Sequence, residues 1–111
     1  MSARLALVER AIERYNVGDA AGYAAFFTED GSEGVYRGEV LRAGRDAVRD
    51  GNGKTFADFP HNRAEILAGH TMGDHVVLHE RVFRTPDGDP FEVISIYSFS
   101  DDLIDRVEFV K

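Results

Sequence analysis

Residues 75–99 decide the fold: HVVLHERVFR at 75–84, TPDGD at 85–89 and PFEVISIYSF at 90–99. Both outer runs are rich in Val, Ile, Phe and Tyr, the β-branched and aromatic types that suit a pleated, half-buried surface. Between them, Pro86-Asp87-Gly88-Asp89 is turn chemistry. The pair reads as two antiparallel strands joined by a four-residue loop. In that register Val82 faces Val93, Glu80 faces Ser95, Leu78 faces Tyr97 and Val76 faces Phe99. Opposed residues share a side of the sheet. One face then carries Val76, Leu78, Val82, Phe91, Val93, Tyr97 and Phe99, with Glu80 and Ser95 together at its centre. The other carries Val77, His79, Arg81, Phe83, Glu92, Ile94, Ile96 and Ser98. A slip of one residue would exchange the two faces.

The pattern extends in both directions. His61 to Thr71 and Leu103 to Val110 are further strand runs, set off by Met72-Gly73-Asp74 and Ser100-Asp101-Asp102. Consecutive strands with short turns make an antiparallel meander. Upstream, Leu5, Val8, Ile12 and Tyr15 recur at helical spacing over Arg4 to Asn16. Gly18 suits a left-handed C-cap, and Asp19 suits the N-cap of a short helix over Ala20 to Phe27. Thr28 to Gly34 reads as polar turn, followed by short strands at Gly34 to Tyr36 and Glu39 to Leu41. Gly44 to Asp50 reads as a brief third helix, ended by Gly51-Asn52-Gly53. Thr55 to Pro60 then carries Phe56 and Phe59 towards the core. Helices followed by a meander give an α+β fold: one curved antiparallel sheet, closing to a cone, with three helices on its concave face.

Composition narrows the function classes. The chain has 111 residues, 43% of them apolar, which suits a single globular domain over 1–111. No apolar run approaches the roughly 18 residues that span a bilayer, so no membrane role is expected. The opening MSARLALVERAIERYN mixes charges through the region where a signal peptide needs an apolar block, and a cytoplasmic location is expected. With no cysteine, thiolate metal sites and thiol catalysis are excluded. His75 and His79 lie in a strand pattern, roughly 13 Å apart, so no metal site is expected. A formal charge of −7 with scattered basic residues repels nucleic acid rather than gathering it.

Tyr15-Asn16-Val17-Gly18-Asp19, then Ala24-Ala25-Phe26-Phe27-Thr28-Glu29-Asp30-Gly31, resembles the helical opening of the nuclear-transport-factor-two-like superfamily. Asn62-Arg63-Ala64-Glu65, Gly73-Asp74, His79-Glu80-Arg81-Val82, Ile96-Tyr97 and Leu103-Ile104-Asp105-Arg106-Val107 resemble a SnoaL-like, ketosteroid isomerase-like subgroup. The resemblance implies a cavity inside the cone. Carried over by position, the isomerase tyrosine falls on Ala11, its carboxylate base on Val35 and its protonated acid on Ser95. None of those roles is filled in kind, so the usual isomerase mechanism is not expected, and whether the chain is an enzyme stays open.

Two functions remain in view. The first is a cofactor-independent binding protein or proton-transfer enzyme (isomerase, cyclase or hydratase) for a small apolar molecule. Glu80 is its candidate acid or base, since burial in an apolar cavity would raise the pKa of its carboxyl. Ser95, Tyr97, Leu78, Val82, Val93, Tyr15, Tyr36, Phe56 and Phe59 would line the pocket. The second is a non-catalytic dimerisation module with a filled cavity, in which Glu80 is a structural partner of Arg81 or Ser95. In either case the apolar Ile94 and Ile96 on the outer face, with His79 and Arg81, point to a homodimer through that face.

Overall fold

A computed structural model describes residues 3–111; Met1 and Ser2, which open the expected 1–111 domain, lie outside the described residues. Helix α1 spans Ala3–Asn16 and buries Val8, Ala11 and Ile12 along one stripe. Gly18 takes φ +73°, the left-handed conformation expected of it. Asp19 caps helix α2, Ala20–Ala24, its Oδ1 accepting from the Gly22 amide at 2.8 Å. This helix is shorter than expected, because Phe27 already opens strand β1, Phe27–Val35.

Thr28 to Gly34 is therefore strand, not turn. Its polar appearance has a physical origin in the pairing of β1 with β6, Leu103–Val110. Phe27 faces Ile104 and Ser32 faces Arg106, so β1 advances five residues while β6 advances two. Between these pairs Glu29 and Asp30 face solvent while Gly31 is buried. A second irregularity, a bulge in the pairing with β2 (Val40–Ala43), falls between Glu33 and Gly34.

The third helix, by contrast, is longer than expected. Helix α3 runs Arg45–Asp58, straight through Gly51-Asn52-Gly53. Tertiary contact explains a glycine that local propensity disfavours. A Cβ at position 51 would stand 2.1 Å from Nε of Arg42, whose side chain crosses the helix there. Phe59, expected in the core, follows the helix and is 37% exposed.

The remaining strands are β3 (Arg63–Met72), β4 (His75–Phe83) and β5 (Phe91–Ser100). The six strands form one sheet in the order β2-β1-β6-β5-β4-β3. Every neighbouring pair is antiparallel except β1 and β6, which run parallel. Bulges also lie between Ile66 and Ala68 and between Ser98 and Phe99, where such features bend strands. The α+β class, with a curved sheet and three helices, is as expected.

The β4–β5 register differs from the expected one by two residues. Val82 faces Phe91, Glu80 faces Val93, Leu78 faces Ser95 and Val76 faces Tyr97. The connecting loop is wider than four residues, and inside it Thr85 Oγ1 accepts from the Gly88 amide at 2.9 Å. A slip of two keeps every side chain on its expected face, because the pleat repeats every two residues. Val76, Leu78, Val82, Val93 and Tyr97 are all buried against Val8, Ile12, Phe27, Ile104 and Val107. Edge strand β3 is held to α1 by Asn16, which accepts from the Ala64 amide at 2.7 Å and donates to its carbonyl at 2.9 Å. Among the described residues no helix is long and apolar enough to cross a membrane.

Candidate functional site

Alternation along β4 and β5 brings Glu80, Val82, Val93, Ser95 and Tyr97 to the concave side, where with α1, α2 and α3 they enclose a cavity of about 120 Å³. Glu80 is 4% exposed. Ser95 Oγ donates to its Oε1 at 2.7 Å, across the diagonal of the β4–β5 ladder. Burial raises the Glu80 carboxyl above its ordinary pKa, and the Ser95 bond only partly opposes this. Burial also pushes the Tyr97 hydroxyl well up, with the charges of Glu80 and Glu33 adding to the effect and Ser95 opposing it. Tyr97 is thus a neutral phenol at any ordinary pH.

A second carboxylate faces the same cavity. Glu33 on β1 is 1% exposed. Tyr23 Oη donates to its Oε2 at 2.8 Å, while Arg42 Nη1 and Asn52 Nδ2 donate to its Oε1 at 2.9 and 3.0 Å. Asn52 also donates to the Val48 carbonyl one turn earlier in α3, which fixes its rotamer. Burial, then Glu33, pushes the Tyr23 hydroxyl well above its ordinary pKa. Three donors, one of them cationic, satisfy both oxygens of Glu33, and a buried charge needs such pairing. Its role is to tie α2, α3 and β2 to β1. Among the described residues the Glu80 carboxyl has one hydrogen-bond partner, the Ser95 hydroxyl, and no ion-pair partner.

Arg84 stands at the rim. Its Nη1 donates to Asn62 Oδ1 at 2.6 Å and to Tyr15 Oη at 3.2 Å, and its guanidinium lies 5.2 Å from the Phe91 ring centroid.

Of the pocket residues read from the sequence, Glu80, Ser95, Tyr97, Val82, Val93 and Tyr15 line this cavity. Leu78 is fully buried in the core instead. Phe56 is half-buried and packs edge-on to Tyr15, ring centroids 5.0 Å apart, behind the wall. Tyr36 is 47% exposed and, like the exposed Phe59, takes no part in the cavity. Tyr36 lies past the end of β1, at the turn into β2. Ala11 is buried on α1 and Val35 is exposed, so neither places a functional group in the cavity.

Sequence reasoning missed Glu33, Tyr23, Arg42, Asn52 and Arg84 as site residues. Arg84 carried a usable signal, since 80, 82 and 84 share strand parity. Glu33 carried none, because the strand around it is irregular. Among the described residues no three His, Asp or Glu side chains converge as a metal site.

Comparison with known proteins agrees with this architecture. A family model described as a SnoaL-like domain matches residues 8–107. An uncharacterised cystatin-fold protein from Novosphingobium aromaticivorans is 36% identical, with all of both chains covered and a TM-score of 0.93. A protein from Sinorhizobium meliloti, proposed to be a polyketide cyclase, is 18% identical over 95% of this chain and 94% of its own, with a TM-score of 0.78. A hypothetical protein with a ketosteroid isomerase-like fold from Catenulispora acidiphila, in complex with trimethylamine, is 16% identical. That match covers 95% of this chain and 84% of the other, with a TM-score of 0.78. At these lower identities the likeness is one of fold. None of the curated proteins matches the chain significantly.

Proposed function

We propose, for a chain that belongs to the SnoaL-like domain family within the NTF2-like superfamily, that the cavity binds a small, largely apolar molecule and that Glu80 moves a proton on it. The observation that carries this reading is a carboxyl buried on an apolar wall with, among the described residues, one hydrogen bond and no ion-pair partner. Bare packing has no use for such a group, and burial brings its pKa towards the range where acid and base forms exchange. Ser95 orients the carboxyl, and Tyr97 offers a neutral hydroxyl nearby for a ligand oxygen. Isomerisation, cyclisation and hydration share this need for one proton-transferring group in a dry pocket. Whole-domain use of residues 1–111 and a cytoplasmic setting, which the acidic, cysteine-free composition suits, belong to the same reading.

The test is deuterium incorporation next to the carbonyl of cyclohexanone in D₂O, with wild type and Glu80→Gln. Exchange faster than buffer that disappears in the variant is the expected result. Binding without exchange would reduce the function to carriage. No binding of any small ketone, ester or arene would favour a dimerisation module, against which the cavity itself now counts.

A homodimer through the outer sheet face belongs to the proposal. Ile94 and Ile96 lie there half-buried, and the polar groups around them already have partners. His79 meets Glu92 at 2.5 Å, while Arg81 lies 3.7 Å from Glu92 and 3.9 Å from Glu65. Charges neutralised in advance cost less to cover than free ones.

A further inference from the structure

We infer that the rim of the cavity is an anion subsite built on Arg84, and that the ligand is a small apolar molecule bearing a carboxylate. The inference rests on the cavity being a ligand site and adds the chemical class of what enters it. The pocket holds two arginines in different states. Arg42 is committed, ion-paired to Glu33 at 2.9 Å. Arg84 has only neutral partners, the Asn62 amide oxygen and the Tyr15 hydroxyl. Among the described residues no carboxylate forms an ion pair with it.

Both bonds leave from Nη1. The Nε–Nη2 edge of the guanidinium, two parallel N–H donors, has no hydrogen-bond partner among the described residues. That edge matches the two oxygens of a carboxylate. The arginine is also held in place before any ligand arrives. The Phe91 ring lies 5.2 Å from it, and Asn62, 5% exposed, turns its oxygen to Nη1 at 2.6 Å. This orientation leaves Asn62 Nδ2 buried with no hydrogen-bond partner, a local cost that the fixed guanidinium explains. Lys111 Nζ, 5.8 Å from the same Phe91 ring, adds a second positive charge at the rim.

The rest of the cavity selects a monoanion. Arg84 is the residue that follows β4, four positions on from Glu80 and so at most about 13 Å along the backbone, and Val82, Phe91 and Val93 line the same cavity. A carboxylate at Arg84 thus directs an apolar body inward, towards Glu80, Ser95 and Tyr97. A dianionic phosphate would bring its second charge towards the acids Glu33 and Glu80, with only the Arg84 guanidinium and the rim Lys111 to balance it.

The experiment is an NMR titration of the protein with benzoate and, separately, with neutral benzamide, in wild type and Arg84→Gln. Benzoate is expected to bind about tenfold or more tightly than benzamide, the ratio of one charge-assisted contact, and the variant to erase the preference. Equal affinity for the two probes would overturn the anion subsite while leaving the apolar cavity as a binding site. A preference that survives Arg84→Gln would overturn the role of Arg84. Failure of both probes to shift cavity resonances would overturn the subsite and the cavity reading together. Should Arg84→Gln not fold, the benzoate to benzamide ratio in wild type and the shift of the Arg84 Nε–H resonance decide the matter.

Discussion

Ser95 donates to Glu80 at 2.7 Å although the two residues are not opposite each other; Glu80 faces Val93 and Ser95 faces Leu78. The bond runs diagonally over one step of the pleat, so it survives in a register two residues away from the one that would pair them directly. It is also, among the described residues, the one side-chain hydrogen bond to the Glu80 carboxyl, and desolvation is the main influence on that group.

Stability should therefore carry the titration of Glu80. Its pKa is raised on folding, so between the unfolded and the folded value the native state binds more protons than the unfolded chain. The contribution is fully present below the unfolded pKa and is lost as pH rises through the folded one. Wild type should weaken over that window relative to Glu80→Gln, which cannot ionise. Urea midpoints of both proteins from pH 4 to pH 8 check this; parallel curves would contradict a raised carboxyl.

The two glycines of α3 should respond oppositely to alanine. At Gly53 a Cβ meets only the Ala20 Cβ at 3.7 Å, ordinary contact. Gly53→Ala should stabilise by about 0.5–1 kcal/mol through helix propensity. At Gly51 the Cβ meets Arg42 Nε at 2.1 Å and Cδ at 2.6 Å, and that side chain is tied to buried Glu33. Gly51→Ala should destabilise by about 1 kcal/mol or more despite the better propensity. Thermal unfolding of the pair gives the answer, and a gain at both positions would mean that Arg42 moves aside freely.

Glu33 should behave as a hub whose donors are coupled. Tyr23→Phe removes one donor from a buried carboxylate and should cost about 1.5 kcal/mol. Arg42→Met removes the cation and should cost about 2 kcal/mol, less than for a fully buried pair because the arginine is partly exposed. A double-mutant cycle should then depart from additivity, since both act on the same side chain. Strict additivity in urea titrations would show that the two bonds are independent.

Sedimentation tests the outer face. The wild-type chain is expected to sediment as a dimer and the Ile94→Glu, Ile96→Glu double variant as a folded monomer. A monomeric wild type at high micromolar concentration would leave the two isoleucines as plain surface residues.

The sequence by itself determined the elements whose signals are local. The strand runs at 75–84 and 90–99 carry their own period, and the helical stripe Val8, Ile12, Tyr15 carries its own. Gly18 and Asp19 announce a C-cap and an N-cap, and both perform as read. The inward placement of Glu80, Ser95 and Tyr97 was legible too, because a two-residue error in register leaves parity intact. Tertiary structure alone decided what depends on distant partners. Strand β1 is recognisable only once β6 lies beside it in parallel, and on that irregular strand Glu33 faces the cavity while Val35 is exposed. Gly51 and Asn52 resemble a helix stop because their reason, space for Arg42 and a hydrogen bond to Glu33, lies on other elements. Periodicity records which way a side chain points relative to its neighbours in the chain; whether a charge is paired, buried or free at a rim is set by groups the chain brings together only when folded.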